Sequence, residues 1–180
     1  MANTTLPKGF KPADDNIQPR AYDRRVAASE TFVPGDIAYI NSSGYLTATA
    51  STNPIAGVIA GSIIDGVSGL PVATSSSTAG RDRVKVWDPR LLFIGQVTVG
   101  AVTDEYTHYT ATSMYDVAGS SGAQYIDAGA TSLDQVQILG NANEPDGSIS
   151  QLGAYQKVVF RFNTAKIAPI ARDVIARQFV

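Results

Sequence analysis

The chain has 180 residues, of which 44% are hydrophobic and 17% are charged, and it contains no cysteine. This size and composition predict one main globular unit and exclude a disordered chain, a disulfide framework and cysteine-ligated metals. The formal net charge of −2, without interleaved basic and aromatic residues, argues against nucleic-acid binding. We expect neither a signal peptide nor a membrane span, because no apolar run is long enough.

Residues 1–31 are expected to form an extended N-terminal arm. The first 30 residues hold nine of the 30 charged groups, together with Pro7, Pro12 and Pro19, and they show no apolar periodicity. Such segments bury too little apolar surface to fold alone. The arm is either a frayed terminus or a contact with a neighbouring subunit. In both cases, deletion of residues 2–25 should leave the rest folded.

Residues 32–163 are expected to form a single β-barrel or β-sandwich-like domain, because short apolar runs alternate here with turn residues. Pro34 and Gly35 suit the centre of a type II turn. Alternation places Val84 and Val86 on one face of a strand. Strands are predicted at 37–40, 45–48, 55–64, 82–88, 91–99, 133–139 and 155–162, the last with Val158, Phe160 and Phe162 on one face.

Residues 164–180 are expected to form a short helix or a second arm. Pro169 suits a first helical turn, and Ile170, Val174 and Ile175 fall on one side of the helix that would follow.

The charges are unevenly distributed along the second half of the chain. Between Arg90 and Lys157 there are seven acidic residues and no Lys or Arg, whereas from Lys157 onward five basic residues stand against Asp173. This pattern indicates either a solvated acidic flank or a two-sided molecule whose basic C-terminal segment meets an acidic partner.

The sequence offers few residues for catalysis or metal binding, and we expect no enzyme activity and no cofactor. His108 is the only histidine, and it lacks the glycine pattern of a nucleophile elbow. A histidine–cysteine zinc site is excluded by composition. Oxygen ligands are present in one loop-rich region but lack the spacing of a calcium loop. They are Asp104, Glu105, Asp116 and Asp127.

Several segments resemble proteins of tailed bacteriophages. F-V-P-G-D-I-A-Y-I-N-S-S-G-Y-L (32–46) and I-A-G-V-I-A-G (55–61) resemble the opening of capsid decoration, or cement, proteins. V-K-V-W-D-P-R-L-L-F-I-G-Q (84–96) resembles a strand-Asp-Pro-strand element of podovirus-like virion proteins. Q-I-L-G-N-A-N-E-P-D-G-S (137–148) and Y-Q-K-V-V-F-R-F-N (155–163) resemble their closing strands. The resemblance implies an all-β virion protein on a capsid, commonly oligomeric and without catalytic residues.

We therefore expect a structural protein, made in the bacterial cytoplasm, that binds the outside of a phage capsid and bridges major capsid subunits. A homo-oligomer is expected, with a trimer favoured over a dimer. Trp87 is either an interface anchor or a core-edge residue. The residues expected to contact partners are Arg20, Arg24, Arg25, Trp87, Lys166, Arg172 and Arg177.

Two other classes of function stay open on the sequence. A head-fibre or tail-associated β-domain that binds carbohydrate would be favoured by an exposed cluster of Tyr106, Tyr109, Tyr115 and Tyr125. An enzyme would be favoured by a pocket that gathers two carboxylates.

Overall fold

The computed structural model describes residues 9–13, 20–48, 53–97, 114–142 and 155–168. Within these ranges the chain forms short β-strands and a 3₁₀ turn, which confirms the expected all-β class. In chain order the elements are β1 (Lys11–Pro12), β2 (Ala21–Arg25), β3 (Ile37–Ile40), β4 (Leu46–Thr47), β5 (Ile55–Ile59), β6 (Ile63–Ile64), β7 (Pro71–Val72), β8 (Arg83–Trp87), β9 (Phe93–Gln96), β10 (Asp116–Ala118), β11 (Tyr125–Asp127), β12 (Val136–Asn141), β13 (Lys157–Phe162) and η1 (Thr164–Lys166).

The larger sheet curls into a half-barrel. Its strand order is β4-β3-β5-β8-β6-β7, and β2 pairs with β8 as well. Val26, directly after β2, forms a bridge with Leu46 of β4, and the amide of Ala27 donates to the carbonyl of Leu46 at 2.8 Å. The segment that follows β2 therefore meets β4, the strand at one end of the sheet. The enclosed core is largely aliphatic: Val26, Phe32, Ala38, Leu46, Ala56, Ile59, Ile63, Val84 and Val86.

A second sheet, ordered β1-β9-β13-β12, lies against the half-barrel. Val158, Phe160 and Phe162 of β13 are all buried on one face, as the alternation predicts. Their face packs on side chains of β3 and β5, including Ile37, Tyr39, Ile55 and Val58. The small β10–β11 hairpin also contributes, through Ile126. This core between the sheets is distinct from the core inside the half-barrel.

β3 and β5 are buried on both faces because each strand separates the two cores. Ile37 and Tyr39 belong to the core between the sheets, whereas Ala38 belongs to the half-barrel core. This position explains why these strands are continuously apolar rather than alternating. β5 also approaches β8 closely at Gly57, which has φ +141°, and a Cβ there would lie 2.1 Å from the carbonyl oxygen of Trp87.

The strand predicted over 55–64 is two strands. β5 ends at Ile59 and β6 begins at Ile63, and both pair with β8. The break contains Gly61, and glycine commonly marks the point where a strand bends around a barrel corner. An apolar run does not reveal such a bend, because residues on both sides of it remain buried.

The described parts of the segment 1–31 are extended and lie on the domain itself. Phe10 is buried, with its ring centroid 5.0 Å from that of Phe160, and Lys11 and Pro12 pair with β9. All five residues of β2 pair with β8. Deletion of residues 2–25 would thus remove a core side chain and a strand, contrary to our expectation that the domain would stay folded without them.

After β13 the chain crosses from the second sheet to the half-barrel. Asn163 caps η1, because its side chain accepts a hydrogen bond from the amide of Ala165. Ile167 then forms a parallel bridge with Ile55, and the amide of Ala168 donates to the Ile55 carbonyl at 2.8 Å. The predicted C-terminal helix lies outside the described residues.

Candidate functional site

Buried carboxylates tie the loops of the domain together. Asp82 accepts hydrogen bonds from the amides of Ser76 at 2.6 Å and Gly66 at 3.0 Å, and from Nε of Arg81 at 2.9 Å. These bonds, the one from Ser76 first, hold the pKa of Asp82 far below its usual range. The carboxylate is ionised and its oxygens are occupied, so its role is to connect three loop positions.

Asp116 and Asp36 also connect loop positions through hydrogen bonds. Asp116 accepts from the amides of Ser132, Leu133 and Asp134 at 2.8 to 3.0 Å. Asp36 accepts from the amides of Val33 at 2.9 Å and Gly122 at 2.7 Å, and from the Ser121 hydroxyl. Among the described residues, no cluster of three or more acidic or histidine side chains is arranged to hold a metal ion.

The β6–β7 hairpin presents aliphatic side chains to solvent. Val67 is 80% exposed, Leu70 63% and Ile64 37%. Asp65 organises the tip: its carboxylate accepts from the amide of Ser68 at 3.0 Å and the hydroxyl of Ser68 at 2.7 Å. These bonds, led by the hydroxyl, hold the pKa of Asp65 below its usual range. The hairpin is therefore a defined projection with an apolar surface.

Arg81 fixes this hairpin to the half-barrel. Its Nη2 lies 2.7 Å from Oδ1 of Asp65, and its Nε lies 2.9 Å from Oδ1 of Asp82. Gly69, with φ +71°, completes the turn, and its amide donates to the Asp65 carbonyl at 2.9 Å. One guanidinium thus links the exposed tip to the buried Asp82 carboxylate. We call residues 64–70 the aliphatic hairpin tip.

The predicted partner-contact residues that the structure describes lie on or beside β2, at the end of β8 and in η1. Arg24 and Arg25 lie on β2, while Arg20 lies just before it, where its carbonyl accepts from the amide of Asp88 at 2.9 Å. Trp87 is half-buried against the core between the sheets, which places it at a core edge. Lys166 is exposed in η1. Arg172 and Arg177 lie outside the described residues.

The exposed face of β2 and β8 carries excess positive charge. Arg25 is the Cα partner of Arg83, and Asp23 is the partner of Lys85, all four being exposed. Like charges directly opposite each other disfavour strand pairing. The Arg25–Arg83 pair therefore disfavours pairing of the two strands, and the net positive charge of this face would attract an acidic surface.

The residues that would favour carbohydrate binding or catalysis are only partly described. Tyr115 is buried and Tyr125 is half-buried, so neither is an exposed platform for a sugar ring. Tyr106, Tyr109, His108, Asp104 and Glu105 lie outside the described residues.

A cleft of about 500 Å³ opens where the β8–β9 connection meets the end of β13. Its apolar surface comes from Pro89, Phe162, Ile167 and Ala168. Arg90 and Arg161 also line it, and Nε of Arg161 donates to the buried Gln137 side chain at 2.8 Å. Sequence analysis missed this arginine pair because the two residues are far apart in the chain and occupy unremarkable exposed positions.

Within the described residues, no helix is long and apolar enough to cross a membrane. In comparisons with known proteins, no family model, no curated protein and no solved structure matches the chain.

Proposed function

We propose that this chain is a structural virion protein that binds the outer surface of a tailed-bacteriophage capsid and bridges neighbouring major capsid subunits. It acts without catalysis, and each copy adds binding free energy to the shell. The resemblance of its segments to decoration proteins motivates the proposal. The structural observation that carries it is the aliphatic hairpin tip.

The tip has the properties of a protein-contact surface. Val67 and Leu70 expose most of their side chains, and grouped exposed aliphatic residues commonly mark interaction sites. The hydrogen bonds of Asp65 and the ion pair with Arg81 order the loop before any partner arrives. A preordered contact loses less conformational entropy on binding than a floppy one.

The proposal includes a homo-oligomer, with a trimer favoured, located on the capsid exterior. Bridging at symmetry positions requires the same contact to repeat around an axis, and closed oligomers achieve this repetition. Particles that lack the protein should assemble but break at lower temperature than decorated particles.

The hairpin tip provides the direct test. The double variant Val67→Ser/Leu70→Ser should bind capsids at least about tenfold more weakly, because truncating even one hot-spot side chain costs about 2 kcal/mol or more and about 1.4 kcal/mol is tenfold in affinity. Co-sedimentation with capsids of the encoding phage measures the affinity. Leu139→Ser is the matched control, since Leu139 is 40% exposed on the second sheet.

Both variants should unfold at nearly the wild-type temperature, because the replaced side chains are exposed. If the double variant decorates capsids as tightly as the control, the hairpin tip does not attach the chain.

A further inference from the structure

We infer that the cleft lined by Arg90 and Arg161 binds a carboxylate that has an apolar group beside it, as in an acidic segment of a protein partner. This inference deepens the proposed function by naming a second attachment surface, and it rests on that function only for the partner's identity. Its structural basis is the combination of two arginines and apolar residues in the lining of one cleft.

The two arginines are available to a ligand. Among the described residues, the ion pairs within 4.0 Å are those of Arg81 with Asp65 and Asp82, and neither Arg90 nor Arg161 has a carboxylate partner. The charge of Arg81 is therefore neutralised by ion pairs within the domain, unlike the charges of Arg90 and Arg161. Because no carboxylate of the described residues pairs with them, Arg90 and Arg161 can neutralise a bound anion.

Gln137 positions one of these guanidinium groups. It is buried in β12, and its Oε1 accepts from Nε of Arg161. Guanidinium has five N–H donors in a fixed fork, so one bond to Gln137 leaves the terminal Nη groups for an acceptor. A carboxylate matches the spacing of that fork and forms charge-assisted hydrogen bonds with it.

The apolar lining of the cleft determines which chemical group of a ligand can lie beside the carboxylate. Phe162 and Ala168 are buried, and Ile167 is half-buried as it crosses to β5. An apolar group packed against the half-buried Ile167 would lose water-exposed surface, which is favourable in proportion to its area. An Asp or Glu next to a large apolar residue supplies both parts.

The same lining argues against nucleic acid as the occupant. Proteins that hold single strands stack bases on the faces of exposed aromatic rings, whereas the aromatic ring in this lining, Phe162, is only 1% exposed. Among the described residues, the cations that line the cleft are Arg90 and Arg161, which is too few for a basic track along a nucleic-acid backbone. A protein carboxylate is therefore the ligand chemistry that fits.

The test uses the full chain and two small probes, 3-phenylpropionate and its neutral analogue 3-phenylpropionamide. The carboxylate should bind about tenfold more tightly or better, as one charge-assisted hydrogen bond implies. Amide chemical shifts at Arg90, Ile167 and Ala168 should move during the titration. Equal binding of the two probes, or shifts confined to other surfaces, would overturn the proposal.

Arg90→Gln and Arg161→Gln should each weaken 3-phenylpropionate about tenfold. Arg25→Gln, on the exposed face of β2, is the matched control and should leave the affinity unchanged. Unchanged binding in both cleft variants would refute the site. Tighter binding of inorganic phosphate or of an oligothymidylate than of the carboxylate probe would overturn the assignment to protein carboxylates.

Capsid binding distinguishes the two proposals. Loss of capsid affinity in the Arg90→Gln/Arg161→Gln double variant supports the cleft as an attachment surface. Undiminished decoration by that variant refutes this role while leaving the proposed function intact. Probe binding by a wild-type chain that does not decorate capsids would instead refute the proposed function and leave the cleft as a carboxylate site.

Discussion

The core inside the half-barrel and the core between the sheets differ in composition and in the origin of their residues. The half-barrel core is mainly aliphatic and is supplied by residues 26–86. The core between the sheets contains four phenylalanines, which come from opposite parts of the chain: Phe10, Phe93, Phe160 and Phe162. The first core is built from one continuous part of the chain, whereas the second requires residues near both ends of the chain to come together.

Because the core between the sheets joins distant parts of the chain, we expect substitutions there to destabilise the fold most. Phe160 contacts the other three rings, with centroid distances of 5.0 Å to Phe10, 5.9 Å to Phe93 and 5.5 Å to Phe162. Such aromatic pairs add to the free energy of area burial. A defect at Phe160 should therefore affect the N-terminal segment, β9 and β13 together.

The largest effect is expected for Phe160→Ala. We expect the free energy of unfolding to fall by about 3–5 kcal/mol, because the substitution leaves a cavity among three rings. Val84→Ala, in the half-barrel core, should cost less, since it deletes a smaller buried side chain. Urea unfolding of both variants measures the difference, and equal losses would contradict the comparison.

A second prediction concerns Tyr39, whose ring lies between the sheets. Burial raises its pKa to about 12, although the hydrogen bond from Gln135 at 2.8 Å acts in the opposite direction. Above pH 10 the unfolded chain loses this proton while the folded chain keeps it, so stability falls as pH rises. The loss should reach about 2–3 kcal/mol near pH 12.

The control for this alkaline effect is Tyr39→Phe, which removes the titrating group. Its unfolding free energy should depend less steeply on pH between 10 and 12 than that of the wild type. Parallel pH profiles for the two proteins would show that the Tyr39 hydroxyl is not responsible.

A third prediction tests the loops of the half-barrel through Asp82. Asp82→Asn should cost about 1–3 kcal/mol, because one carboxylate oxygen is replaced by a donor that faces the amides of Gly66 or Ser76. In the wild type this contribution is present above the ordinary aspartate pKa and is lost as the pH falls below it, since the folded pKa is depressed. Acid unfolding of the variant should accordingly show a shallower pH dependence.

Strands with a clear alternation were predictable from sequence, whereas the N-terminal strand was not. Arg83–Trp87 and Lys157–Phe162 are confirmed because one face of each is apolar and buried. Ala21–Arg25 lacks an apolar face, because its own residues are mostly polar and are all exposed or half-buried, although every one of them pairs with β8. Phe10 gave no signal because a single aromatic residue in a charged segment has no periodicity.

Parts of the candidate site were also hidden from sequence reasoning. Val67, which lies between Gly66 and Gly69, and Leu70, which follows Gly69, are a detectable signal, because aliphatic residues in a turn have no partner strand to bury them. The pairing of Arg90 with Arg161 carries no such signal. It depends on where β13 ends relative to the β8–β9 connection, which long-range pairing decides.

The smallest effect on stability, and the last prediction, concerns Arg25 on the half-barrel. Arg25→Glu replaces a like-charged pair with Arg83 by an opposite-charged pair, so stability should rise by about 0.2–1 kcal/mol. If this face meets an acidic capsid surface, the same change should slow association, mainly at low salt where charges are least screened. Asp23→Asn, on the same strand, should instead speed association because it removes a negative charge. Stopped-flow binding to capsids at two salt concentrations measures both rates, and thermal unfolding measures stability. A more stable variant that binds as fast as the wild type at every salt concentration would mean that β2 contributes to the fold but not to attachment.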